Sequence, residues 1–157
     1  MPFHTLRRRQ WIPRPIDEVF AFFSDAWNLE EITPSWLGFR ILTPGAIQIA
    51  EGTRIRYRLR LHGIPVGWTT EVRQWKPPNR FVDVQIHGPY RLWHHTHRFE
   101  AKAGGTLMTD IVRYRLPLGI IGWIVHRLKI RRDVERIFDY RAQHIREVLR
   151  TATVEVQ

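Results

Sequence analysis

The chain has 157 residues, enough for one domain, and 43% are hydrophobic, with seven Trp and eight Phe; this supplies a core and argues against disorder over most of the length. It has no cysteine, which excludes disulfides, thiolate catalysis and cysteine zinc sites and suits a cytoplasmic protein. The net charge of +10, nearly all from arginine, favours phosphates as partners, in nucleic acid or at an anionic membrane surface, or else is simply a solvated basic surface. The N-terminal residues are basic but lack the apolar core of roughly 7 to 15 residues that a secretory signal needs. No stretch reaches the ~18 apolar residues of a spanning helix. The expectation is a protein neither secreted nor transmembrane.

Residues 3–12 suit a first strand, which Pro13 and Pro15 end. Pro15 fits the first turn of a helix carrying Val19, Phe20 and Phe23. A second short helical turn starts at Asp25, runs through Asn28, Leu29 and Glu30, and stops at Pro34. The period then becomes two. Residues 54–61 alternate strictly, with Ile55, Tyr57, Leu59 and Leu61 on one face and Arg54, Arg56, Arg58 and Arg60 on the other. A turn over His62, Gly63, Ile64 and Pro65 leads to a strand with Trp68, Thr70 and Val72 opposite Glu71 and Arg73, ended by Pro77, Pro78 and Asn79. Three more strands follow at about 80–87, 91–101 and 106–116, divided by Gly88-Pro89 and Gly104-Gly105.

From Ile130 the pattern turns helical, with Val134, Ile137, Phe138, Ile145, Val148 and Leu149 on one face. Arg131, Arg132, Arg136, Arg141, Arg146 and Arg150 are assigned to the remainder. A helix from about Trp123 to Arg150 would span ~40 Å at ~1.5 Å per residue, enough to cross a sheet. Residues 151–157 read as a tail. The order defines an α+β helix-grip domain over residues 1–150. A curved antiparallel sheet of about seven strands, two short helices and a long C-terminal helix enclose a cavity.

Several local sequences carry a family resemblance: Val19-Phe20-Ala21-Phe22-Phe23-Ser24-Asp25-Ala26 with Asn28-Leu29 and Thr33-Pro34; Gly88-Pro89-Tyr90 with Trp93, His95, His97 and Phe99; and Gly105-Thr106 with Asp110. Together they resemble the SRPBCC superfamily, most of all its small bacterial proteins similar to polyketide cyclases and START lipid-binding domains. The resemblance covers about residues 3–150. It implies a ligand cavity but no defined reaction, because members bind lipids, hormones or polyketides and only some are enzymes. Function has to come from the site.

Strand alternation selects the side chains that face the helix. In the last strand Met108, Asp110, Val112 and Tyr114 share a face opposite Thr109, Arg113 and Arg115; in the one before it Trp93, His95, His97 and Phe99 share a face. Tyr57, Leu59, Trp68 and Val72 complete the inward set. Asp83 and Gln85 depend on register. If Gly88, Pro89 and Tyr90 are unpaired, Asp83 falls opposite His95 and Gln85 opposite Trp93; one residue less in the loop puts Val82, Val84 and Ile86 inside. Polar clustering favours the first register and apolar count the second.

His95, His97 and Asp110 have the residue types to move a proton or hold a metal. A lone His-x-His with one carboxylate lacks the further ligands a metal normally takes, so a hydrogen-bonded cluster is preferred, with no metal and no cofactor. The apolar run from Leu118 to Val125, with Gly119 and Gly122 and basic residues after it, reads either as a buried helix start or as a gate touching an anionic membrane, with Trp123 at the interface.

The leading expectation is a binding protein for a hydrophobic small molecule, a lipid or an aromatic or polyketide-like metabolite. Tyr57, Leu59, Trp68, Trp93, Met108, Val112, Tyr114 and Trp123 would contact the ligand, and His95, His97 and Asp110 would orient its polar end. The alternative is a cyclase or dehydratase using His95 or His97 with Asp110 for proton transfer. Nucleic acid is disfavoured, because Tyr57 faces away from the arginine stripe and leaves it without stacking partners. The expected location is the cytoplasm, with the inner membrane surface as a peripheral contact. Oligomeric state is not legible from these features.

Overall fold

A computed structural model describes residues 3–117, 119, 121, 124 and 129–151. Seven strands form one antiparallel sheet: β1 (His4–Ile12), β2 (Arg40–Ile41), β3 (Arg54–Leu61), β4 (Ile64–Lys76), β5 (Arg80–His87), β6 (Leu92–Lys102) and β7 (Gly105–Arg115). Their spatial order is β1-β7-β6-β5-β4-β3-β2, so β2 to β7 form a meander and β1 pairs with its far edge. Helices α1 (Ile16–Ser24) and α2 (Asn28–Glu31) follow β1, and the long helix α3 (Arg131–Thr151) follows β7. This is the α+β helix-grip layout, with a curved sheet beneath a long C-terminal helix.

Two hairpins are tighter than expected. His62 (φ 49°) and Gly63 (φ 79°) alone turn β3 into β4, with Ile64 and Pro65 already paired to Leu61 and Arg60. Ala103 (φ 51°) and Gly104 (φ 77°) do the same between β6 and β7, so Gly105 is a paired strand residue opposite Lys102. Two successive left-handed residues suit a two-residue hairpin, because that turn matches the twist of the strands it joins. A side chain at Gly105 would collide with the Ile12 carbonyl and lie 2.7 Å from the Trp11 ring. Strand β2 has only two residues, too few to show a period, and the irregular segment 42–53 joins it to β3.

Helix α3 has 21 residues, ~32 Å at ~1.5 Å per residue, and is preceded by a π-helical turn at Lys129 and Ile130. The expected start at Trp123 lies outside the described residues. Of the run 118–128 only Gly119, Ile121 and Ile124 are described, and both isoleucines are exposed. No helix among the described residues is long and apolar enough to cross a membrane.

The helix packs on one side of the sheet. Val134 and Phe138 meet Val112 and Tyr114, while Ile145 and Leu149 join Ile12, Phe99, Met108 and the α1 phenylalanines Phe20 and Phe23. Two long polar side chains tie β1 and its exit to the helix backbone. Gln10 Nε2 donates to the Ala142 carbonyl (2.8 Å) and Arg14 Nε to the Leu149 carbonyl (3.0 Å). On the outer face Arg54, Arg56, Arg58 and Arg60 are all exposed, as the alternation predicts. Arg54 and Arg73 both pair with Glu71, each at 2.8 Å.

Candidate functional site

A cavity of about 200 Å³ opens between the inner faces of β3 to β6 and the first half of α3, with the α1–α2 connection and residues of the segment after α2 closing its side. Its position follows from the packing just described. Helix α3 rests directly on β7 and β1, so side chains fill that half, while Val134, Ile137 and Phe138 only roof the other half. Contacts beside the lining residues bring the rim together. His62 Nε2 at the β3–β4 turn lies 2.7 Å from Asp133 Oδ2 at the start of α3, and the Arg136 guanidinium lies 5.4 Å from the Trp36 ring centre.

Of the residues expected at the cavity, Tyr57, Leu59, Trp68, Trp93, His95 and His97 line it. Met108, Asp110, Val112 and Tyr114 point inward and are buried, but they do not line it. All four lie on β7, the strand that α3 and its neighbours cover, so alternation predicts their direction while the helix fills the space above them. Met108 belongs to the core with Phe99 and Ile145; Val112 and Tyr114 pack under Val134 and Phe138. Trp123 lies outside the described residues.

The register is the one that clusters polar groups: Asp83 pairs with His95 across β5 and β6. The β5–β6 ladder runs as far as Val84 opposite His94, and Gln85 uses its side chain differently. Its Nε2 donates to the Tyr90 carbonyl (2.6 Å), and its Oε1 accepts from the Tyr90 amide (3.2 Å), which props the β5–β6 turn. Val82 is nevertheless buried, on the opposite face.

Four side chains make one network at the cavity floor. His95 Nε2 donates to Asp110 Oδ1 (2.8 Å), and His97 Nε2 donates to Asp83 Oδ2 (2.7 Å). His97 Nδ1 lies 3.2 Å from Asp110 Oδ1 but without the alignment of a hydrogen bond, so that contact is electrostatic. The two imidazoles stack with centres 3.7 Å apart, and His97 also stacks on Phe81 at 4.0 Å.

Environment separates the two histidines. Burial, reinforced by the charge of His97, pushes His95 down to about 4 despite Asp110, so it is neutral at pH 7. Burial acts against charge on His97 too, but the adjacent Asp110 and Asp83 outweigh it and raise its pKa. Asp83 and Asp110 are both held below the ordinary carboxylate range: burial opposes this, and the histidines, aided by Arg141, overcome it.

Ligand atoms of Asp83, His95 and His97 lie within 4.8 Å of one another, close enough to converge on one metal ion. Each imidazole Nε2 already meets a carboxylate, and the Arg141 charge acts on both acids. A proton-sharing network uses every one of these contacts without adding another cation.

The sequence pattern assigns Arg141 to the polar face of α3, and the structure corrects this by placing it in the cavity wall. The signal is in its spacing: residue 141 is seven beyond Val134, three beyond Phe138 and four before Ile145, the centre of the apolar stripe. Counting hydrophobic residues hides a cation on their own face. Phe39 and Tyr90, also in the wall, come from a loop and a turn where no strand period marks an inward side.

A grip of one long helix over a curved antiparallel sheet, enclosing an aromatic cavity with a few buried polar groups, defines a helix-grip domain. A sequence model described as polyketide cyclase / dehydrase and lipid transport matches residues 12–138, and the chain belongs to that family. Among solved structures, TTHA0849 from Thermus thermophilus is 19% identical over 95% of this chain and 99% of its own, with a TM-score of 0.76. CV1439 from Chromobacterium violaceum is 13% identical over 92% and 96%, with a TM-score of 0.71. Ara h 8.0201 is 14% identical over 96% and 99%, with a TM-score of 0.65. At these identities the likeness is one of fold. No curated protein matches in sequence.

Proposed function

We propose that the protein binds a hydrophobic small molecule in the cavity between β3–β6 and α3. The observation that carries this reading is an unfilled hollow walled by Trp68, Trp93, Tyr57 and Leu59 with His95, His97 and Asp83 at its floor. Apolar walls supply burial of the ligand, and a small number of fixed polar groups orient it. Trp68 stands edge-on to Trp93 at 5.3 Å and to Tyr90 at 5.5 Å, which suits aromatic or polycyclic ligands that meet ring edges and faces.

The test is native mass spectrometry of protein gently purified from its host, with identification of what denaturation releases. One hydrophobic molecule per chain supports the reading, and Trp93→Glu, which puts a charge in the wall, should abolish its retention. Unchanged retention in that variant would remove Trp93 from the site.

A second reading, a cyclase or dehydratase, is favoured by one observation: His95 borders the cavity, is unprotonated at neutral pH and has its orientation set by Asp110. Turnover of the released molecule that vanishes in both His95→Gln and Asp110→Asn, with binding retained, would support it. The exposed arginines of the outer face support a further, nonspecific and salt-sensitive affinity for anionic membranes at a cytoplasmic surface.

A further inference from the structure

We propose that the cavity selects a ligand with a single carboxylate, received by Arg141, so that its ligand class is the compact aromatic acids. This rests on the reading of the cavity as a binding site and narrows it.

Arg141 sits where α3 otherwise presents Val134, Phe138 and Ile145 to the interior, all buried. Its guanidinium lies 5.7 Å from the Phe138 ring centre and 6.0 Å from that of Phe23, and the side chain forms part of the cavity wall. Its Nε is buried with no hydrogen-bond partner, and among the described residues the side chain forms no ion pair. A guanidinium is permanently charged and offers five donors in a planar fork, the shape that a carboxylate meets with two parallel bonds.

The acids nearby are already engaged. Asp83 accepts from His97, and Asp110 accepts from His95 with His97 Nδ1 alongside. Arg141 offsets the residual negative charge of that network from a distance and keeps its donors for another acceptor.

Charge and size restrict that acceptor. One guanidinium near two carboxylates suits a single negative charge and repels a phosphate dianion. The cavity of about 200 Å³ is smaller than the ~300–1,000 Å³ of common ligand pockets, which favours one or two rings over a long acyl chain. Its aromatic walls favour the ring itself.

Calorimetric titration of wild type and Arg141→Gln with 2-naphthoate, 2-naphthamide, 2-naphthyl phosphate and decanoate tests this. Wild type should bind naphthoate at least about tenfold more tightly than the isosteric amide, and more tightly than the phosphate or decanoate. Arg141→Gln should lose the preference for the acid while its amide affinity stays within about threefold, which also reports an intact cavity. Equal acid and amide affinities in wild type, or an acid preference that survives in Arg141→Gln, would overturn the carboxylate proposal and leave the cavity reading standing. Binding of none of the four probes would overturn both.

Discussion

The inner face of the sheet carries one alternation from edge to edge, yet its two halves end in different surroundings. Over β7, Met108 and Val112 are at most 1% exposed and touch helix side chains directly. Over β3 and β4, Tyr57, Leu59 and Trp68 point the same way and meet a void. The difference lies in where α3 crosses, since the residue types are alike. The helix is tied to β1 through Gln10 and Arg14, and the curved sheet departs from it toward β3. The histidine–aspartate network straddles the border. His95 meets Phe138 of the helix edge-on at 5.6 Å and also faces the cavity, while its acceptor Asp110 belongs to the filled half.

Breaking that border should have the largest effect. Asp110→Ala removes the acceptor of a buried imidazole and leaves both histidines facing an apolar replacement, which should destabilise the fold by about 3–5 kcal/mol in urea denaturation. A loss below about 1 kcal/mol would mean that water replaces the carboxylate and that the border is wet.

Paired truncations sharpen the contrast between the halves. Met108→Ala should cost about 2–5 kcal/mol, because the gap it leaves is surrounded by packed side chains. Leu59→Ala should cost less, because Leu59 already lacks neighbours on its cavity side and loses fewer contacts. Equal losses in the same denaturation assay would show that the two halves are energetically alike.

The smallest expected effect is in acid. The folded pKa of His95, about 4, lies below its ordinary value of 6.5, so the unfolded chain binds more protons between those pH values. Stability linked to His95 is complete above pH 6.5 and declines as pH falls toward 4. His97 works in the opposite sense: its raised pKa contributes stability that is complete below 6.5 and is lost as pH rises through the folded value. Below pH 6.5 the His97 contribution is constant, so the loss of melting temperature from pH 6.5 to 4.5 reports His95. His95→Gln, keeping His97, should flatten that decline. An unchanged slope would place the proton uptake elsewhere.

How far the site is legible in the sequence depends on the element. Strict alternation in 54–61 and 92–99 is sufficient to point Tyr57, Leu59, Trp93, His95 and His97 inward, because a strand has only two faces. Asp83 stays open between two registers, since one residue of loop length inverts the strand and both faces of β5 carry buriable side chains. The loop settles it by using Gln85 to hold Tyr90. Arg141 is hidden because its charge outweighs its position in the stripe, and Phe39 has no periodic neighbours to orient it.

Local chemistry determined the α+β class, the strand alternation, the two hairpin sites and the amphipathic last helix, because each depends on periods and turn residues within a few positions. Tertiary structure decided which inward residues are core and which border a hollow. It also joined two imidazoles to two acids from β5, β6 and β7 and turned one helical arginine inward. Those outcomes depend on where a helix more than fifteen residues beyond β7 comes to rest on a sheet whose curvature no single strand encodes.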